Sequence, residues 1–260
     1  MDAMQKLVKC QVPLGSIAFL WLGQAGYILK TSEDFFITID PYLSDCCERL
    51  YGFKRLSPAV VLPENLKSDL LLLTHEHADH LDIDSIPTLA GNTRMKIIGS
   101  PTAVEKCREL KIVSEKIMPL SRGEEVSLEN IRIKAIFADH GDLTPDSIGF
   151  LLEVGEMKIY FAGDTAFRQS KIAESLGCQP DIAVLPINGM YGNLHSGQAV
   201  KLAKRIGAKK VVPCHFWTFM EHNGRNGDPL SFNKLMKKKY KRGFPIFLTP
   251  GEVQILHKEV

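Results

Sequence analysis

Thr74-His75-Glu76-His77-Ala78-Asp79-His80-Leu81-Asp82 follows almost directly on the apolar run Asp69-Leu70-Leu71-Leu72-Leu73. That run lacks the alternation of a half-solvated strand and reads as a strand covered on both faces. Its C-terminal end delivers an HxHxDH cluster in which His75, His77, Asp79 and His80 are potential ligands. In an extended loop, side chains two apart project to the same side, so His75 and His77 can share one ion. Asp79 and His80, on the following turn, face a second. Imidazole and carboxylate together suit Zn²⁺, Mn²⁺ or Fe²⁺. A single histidine is more often a satisfied core or surface side chain; ligand types packed this densely reverse that reading.

One loop cannot complete two coordination shells, so further ligands are expected at other strand ends. His140 follows the apolar run 131–137, Asp164 follows 157–161 in Ala162-Gly163-Asp164-Thr165, and His215 follows 211–213. Each is a polar residue just past an apolar run, where a sandwich exposes its loops and where sites gather. His222 and His257 lack such a context and read as ordinary surface histidines.

Around these positions the chain is strand-rich. Residues 17–22, 27–30 and 35–39 read as consecutive antiparallel strands, 96–99 as another buried strand, and 102–110 as a helix. Residues 148–154 and 157–161 read as a hairpin across Gly155-Glu156. Residues 182–185 and 211–213 are short buried strands separated by a helix over 196–206, which Gly207 closes. A helix over 231–240 precedes two last strands, 245–248 and 253–256, around Pro250-Gly251. Strand-rich blocks followed by helices, occurring twice, predict an α+β protein with two mixed sheets between helix layers. Neither a linker nor a repeat divides the chain, so residues 1–260 are expected to form one domain.

Composition narrows the function. The chain has 260 residues, 45% of them hydrophobic, enough for a large core. Its 32 basic and 30 acidic residues leave a formal charge of +2, which points to a small-molecule substrate rather than nucleic acid. The run Lys234, Lys237, Lys238, Lys239, Lys241 and Arg242 reads as a solvated helix face. Cys10, Cys46, Cys47, Cys107, Cys178 and Cys214 form no CxxC pair, which suits free thiols and a cytoplasmic setting. No segment has the length and apolarity of a membrane span or a signal peptide. Homo-oligomerisation is left open.

With these residues in place, the chain resembles the metallo-β-lactamase superfamily over essentially its whole length. The resemblance implies an αβ/βα four-layer sandwich with its metals at one edge. It also implies that His75, His77 and His140 hold one ion, that Asp79, His80 and His215 hold the other, and that Asp164 bridges them. Antibiotic-hydrolysing members place a cysteine in the role of Asp164, which argues against β-lactamase activity here. Trp21-Leu22-Gly23-Gln24-Ala25-Gly26, Ile39-Asp40-Pro41-Tyr42-Leu43-Ser44, Leu185-Pro186-Ile187-Asn188-Gly189 and Val212-Pro213-Cys214-His215-Phe216 resemble the L-ascorbate-6-phosphate lactonase-like branch. Asp40 is expected to orient a ligand imidazole from behind.

Two divalent ions, Zn²⁺ or Mn²⁺ with Fe²⁺ also compatible, would turn a shared water into a hydroxide nucleophile at neutral pH. Asp79 and Asp164 are the expected catalytic carboxylates, and the expected reaction opens a lactone or other ester, with a phosphorylated sugar lactone foremost. Asn188, Tyr191, Asn193, His195, Trp217 and Arg168 flank the ligand loops and are candidate substrate contacts. For His195 the competing reading is a helix cap, for Trp217 a core side chain, and for Arg168 a solvated residue in a first helical turn. The competing functions are a metal-dependent phosphodiesterase or ribonuclease and a non-catalytic metal or ligand sensor.

Overall fold

Residues 2–258, apart from 93, 143, 223, 225 and 226, are described by the structure, a computed structural model. Asp2 starts the first helix, α1 (Ala3–Lys9), by accepting from the Gln5 amide at 2.7 Å. Strands β1 (Ser16–Gly23), β2 (Gly26–Lys30) and β3 (Phe36–Ile39) form the expected antiparallel meander and are buried nearly throughout. After the short helix α2 (Cys46–Tyr51), strand β4 (Leu70–Leu73) lies parallel to β3, its four leucines all buried as the unbroken apolar run requires. Helix α3 (Ile86–Ala90), β5 (Lys96–Gly99), α4 (Pro101–Glu109) and β6 (Ile117–Pro119) extend the parallel side.

The chain then builds a second sheet. Strands β7 (Glu125–Leu128), β8 (Ile131–Phe137), β9 (Ile148–Val154) and β10 (Met157–Phe161) are antiparallel neighbours. Helix α5 (Gln169–Leu176), β11 (Ile182–Pro186), α6 (Ser196–Ile206), β12 (Lys210–Cys214), α7 (Pro229–Lys239) and β13 (Phe244–Pro245) complete it with parallel pairings. Finally β14 (Val253–His257) pairs antiparallel with β1. Two compact units result, Met1–Leu120 with Leu248–Val260, and Ser121–Phe247. Each carries one seven-stranded mixed sheet, ordered β14-β1-β2-β3-β4-β5-β6 in the first and β13-β12-β11-β10-β9-β8-β7 in the second. The α+β class and the two mixed sheets with flanking helices are as expected from the sequence.

The C-terminal strands differ from expectation. Of the two strands read over 245–248 and 253–256, the first shrinks to Phe244–Pro245, which pairs with β12, whereas Val253–His257 pairs with β1. The Pro250-Gly251 turn is instead tied to the first sheet, where the Gly251 amide donates to the Trp21 carbonyl at 3.0 Å. Helices α1, α2, α3 and α5 and strands β6 and β7 are additional to those read from the sequence.

Packing fixes the loop that carries His75, His77, Asp79 and His80. Leu71 and Leu73 of β4, Ile97 of β5, Ala103 and Cys107 of α4 and Ile86 of α3 share one core cluster with Leu81, the residue after His80. Each fully buried leucine there contributes roughly 1.5–3 kcal/mol, so the loop cannot swing out without losing Leu81 from the core. Because β3, β4 and β5 are parallel, the residues following them, Asp40, Thr74 and Ser100, leave at one sheet edge. In the second unit β8, β10, β11 and β12 share a direction, which brings His140, Asp164, Asn188 and His215 to one edge of that sheet.

Candidate metal centre

In the first unit, Asp40 organises the histidine loop from behind. Its Oδ1 accepts from the Thr74 amide at 2.8 Å, and its Oδ2 accepts from the Thr74 hydroxyl at 2.6 Å and from His80 Nδ1 at 2.8 Å. A carboxylate only accepts, so the Thr74 hydroxyl donates to it, and Oγ1 is left to accept from His75 Nδ1 at 2.9 Å. In this arrangement both imidazoles present Nδ1–H to their partners, the tautomer in which Nε2 is the ring's acceptor atom. The backbone is bent to make this possible: Asp40 has φ 42° and Gln24 φ 50°, left-handed values uncommon outside glycine. Gln24 Nε2 donates to Asp79 Oδ2 at 2.7 Å, fixing the second carboxylate.

Asp82 closes the cluster and is a residue that the sequence did not single out. It is fully buried and accepts from the Leu43 and Ser44 amides at 2.8 and 2.7 Å and from the Ser44 and Ser85 hydroxyls at 2.6 and 2.7 Å. Burial opposes its ionisation, yet the hydroxyls of Ser44 and Ser85 and the amides of Leu43 and Ser44 outweigh it and hold the carboxyl below the ordinary carboxylate range. Asp82 thus pins the loop after Asp40 to the loop after β4.

In the second unit, Asp164 lies between two imidazoles, its Oδ2 3.5 Å from His140 Nε2 and its Oδ1 3.2 Å from His215 Nε2. Asn193 Nδ2 donates to Asp164 Oδ2 at 2.7 Å. The loop carrying His140 is held to the Asp164 loop by Asp139, whose amide donates to Thr165 Oγ1 at 3.0 Å and whose carbonyl accepts from the Ala166 amide at 2.7 Å. His215 has φ 60° and Trp217 φ 59°, so strained backbone recurs on this half.

The candidate substrate contacts are distributed unevenly. Asn188 is fully buried, and among the described residues neither atom of its amide finds a partner. Tyr191 and Trp217 are each 53% exposed, and the Trp217 ring meets Phe216 edge to face rather than lying in a core. Asn193 is occupied with Asp164. His195 caps α6, its Nδ1 accepting from the Gly197 amide at 3.1 Å while Gln198 Oε1 accepts from the His195 amide, and burial draws its imidazole below the usual range. Arg168 pairs with Asp139 at 2.5 Å, and that bond holds the Asp139 carboxyl below its ordinary range. His222 corrects the sequence reading: it is 6% exposed, not a surface histidine, because its ring stacks on His215 with centroids 5.6 Å apart and planes 3° apart. His257 is exposed, as expected, and bonds Ser16 Oγ at 2.6 Å.

The donor set suits cations. Two donors bound to one tetrahedral ion at about 2.0–2.1 Å lie about 3.3 Å apart. The nitrogens His75 Nε2 and His77 Nδ1 are 3.1 Å apart in the first unit, and the Asp164 oxygens are 3.2 and 3.5 Å from their imidazole partners in the second.

The family described as Beta-lactamase superfamily domain matches residues 37–216, from β3 to the residue after His215. The chain belongs to that superfamily. A UPF0173 metal-dependent hydrolase of Thermoplasma acidophilum is 31% identical over 210 residues, covering 78% of this chain and 85% of the relative. Among solved structures, Igni18, a metallo hydrolase from Ignicoccus hospitalis, is similar with a TM-score of 0.71 at 21% identity, covering 94% of this chain and 100% of its own. The metallo-β-lactamase fold protein YhfI from Bacillus subtilis gives 0.69 at 18% identity, over 93% of this chain and 99% of its own. The fold is that of the metallo-β-lactamases, and the superfamily member described here is a metal-dependent hydrolase.

Proposed function

We propose that the two units form one catalytic domain in which His75, His77 and His140 hold one divalent ion, Asp79, His80 and His215 hold a second, and Asp164 is shared. The observation that carries this reading is Asp164, which offers one oxygen to His140 and the other to His215 at separations fit for donors around cations. Zn²⁺ and Mn²⁺ suit the imidazole and carboxylate set, and the six free cysteines suit a cytoplasmic setting.

Bound divalent ions lower the pKa of a coordinated water toward about 7 and polarise an electrophilic oxygen. The protein's own residues do the rest. Gln24 donates to Asp79 Oδ2 and so orients the carboxylate that would accept the proton released by an attacking water. Asp40, directly for His80 and through Thr74 for His75, orients both rings with Nδ1 turned toward it, so that Nε2 is the nitrogen that would meet a cation. Asn193 orients Asp164. The buried amide of Asn188 and the exposed rings of Tyr191 and Trp217 supply polar and aromatic contacts for a small substrate. The substrate is a lactone or similarly activated ester, a phosphorylated sugar lactone foremost.

A panel of lactones, carboxylic esters and bis(p-nitrophenyl) phosphate, assayed with protein loaded with Zn²⁺ or Mn²⁺, tests this reading. Lactone or ester turnover that Asp164→Asn abolishes in a folded protein supports it. Turnover of the phosphodiester alone assigns phosphorus as the electrophile, and a fully loaded protein inert on the whole panel points to a sensor.

A further inference from the structure

We infer that His222 is a positioning residue: its imidazole acts as a stacked backing plate that fixes the ring plane of His215 for metal binding. The inference rests on the proposed role of His215 as a ligand. His222 is buried in a chain segment rich in polar residues, so its burial needs a cause, and the ring geometry supplies one. Its plane is 3° from that of His215 with centroids 5.6 Å apart, an offset parallel stack within the ordinary range for aromatic pairs. The His222 ring also meets Phe219, tilted 68° at 4.8 Å, and Tyr191, tilted 56° at 4.9 Å.

The chain beyond His222 is fastened so that this stack persists. The Gly224 amide donates to the Asn188 carbonyl at 2.8 Å. A Cβ on Gly224 would come within 2.6 Å of that oxygen, and a Cβ on Gly227 within 2.1 Å, so only glycine allows the segment this close to the end of β11. The His222 ring is thereby anchored to the same sheet edge from which His215 projects. His215 needs such support, because its own backbone is left-handed at φ 60° and its side chain leaves a strand end rather than the body of a strand. A neighbour that merely fills space would not need to lie parallel to the ligand ring.

The test uses the full chain with Co²⁺ as the probe, in wild type, His222→Ala, His222→Phe and His215→Ala, with thermal melts to establish folding. Removal of a residue supporting a metal ligand lowers affinity by about 10–100-fold. His222→Ala is expected to bind the Co²⁺ ion nearest His215 about tenfold or more weakly and to shift the visible absorption band. His222→Phe keeps a flat ring and is expected to restore both affinity and band. Wild-type affinity and spectrum in His222→Ala, or a failure of the phenylalanine variant to recover either, would overturn the inference. Unchanged Co²⁺ stoichiometry in His215→Ala would instead overturn the ligand assignment on which it rests, and the two failures are told apart by that control.

Discussion

The Nδ1 of His80 stands 2.8 Å from Oδ2 of Asp40, and both groups are buried. The same oxygen takes the Thr74 hydroxyl, so one carboxylate sets the proton position on two imidazoles, one directly and one through a hydroxyl. Asp40→Asn puts a donor where acceptors are needed. It is expected to lower divalent-metal affinity by about 10–100-fold in a chelator competition titration, with the far-ultraviolet dichroism of the folded chain retained. Wild-type affinity would remove Asp40 from the account.

Asp82 is fully buried, and the amides of Leu43, Ser44, Asp84 and Ser85 and the hydroxyls of Ser44 and Ser85 converge on it. Asp82→Ala leaves those donors buried without their charged acceptor. Unfolding in urea is expected to show a loss of at least about 3 kcal/mol, since each stranded buried group costs about 1–3 kcal/mol. A loss below about 1 kcal/mol would mean that water replaces the carboxylate.

Asp228 caps α7, its Oδ1 accepting from the Ser231 amide at 2.7 Å. Burial disfavours its charge, but the hydroxyl and amide of Ser231 prevail and hold its pKa below the ordinary value. A group depressed in the folded state stabilises fully above its unfolded pKa of about 3.9 and loses that contribution as pH falls through the lower folded value. Asp228→Ala is therefore expected to destabilise by about 1 kcal/mol at pH 7, with the gap to wild type closing as the pH drops below about 4. A gap independent of pH would show that packing, not the charged cap, is lost.

All six cysteines are free thiols, of which Cys46, Cys47, Cys107 and Cys214 are buried and Cys10 and Cys178 partly exposed. Burial pushes the Cys107 thiol up to about 12. A chromogenic disulfide reagent at pH 8 is expected to modify Cys10 and Cys178 in the native chain and all six in denaturant. Rapid native modification of Cys107 would contradict the packing of α4 on β5.

The candidate metal centre was legible in the sequence as a dense run of His and Asp at fixed spacing, and the strand before it because Leu70–Leu73 has no polar alternation to confuse its reading. Ser196–Ile206 was equally clear, with a glycine just past its end. The missed helix Cys46–Tyr51 is too short to display a helical period, and β6 and β7 are three and four residues of partly exposed edge strand. The roles of Gln24, Asp82 and His222 arise from contacts made only in the folded chain, such as the Gln24 to Asp79 bond across 55 residues. Sequence spacing does not encode such partners. The partners of the last two strands were hidden for the same reason: Phe244–Pro245 pairs in one sheet and Val253–His257 in the other.

The most direct test of the account is metal stoichiometry. Equilibrium dialysis of the wild-type chain against Zn²⁺ or Mn²⁺, followed by elemental analysis, is expected to give two ions per chain, with Asp164→Asn retaining fewer while melting cooperatively. A wild-type chain that holds no ion, or an Asp164→Asn chain that holds two as tightly as wild type, would contradict it.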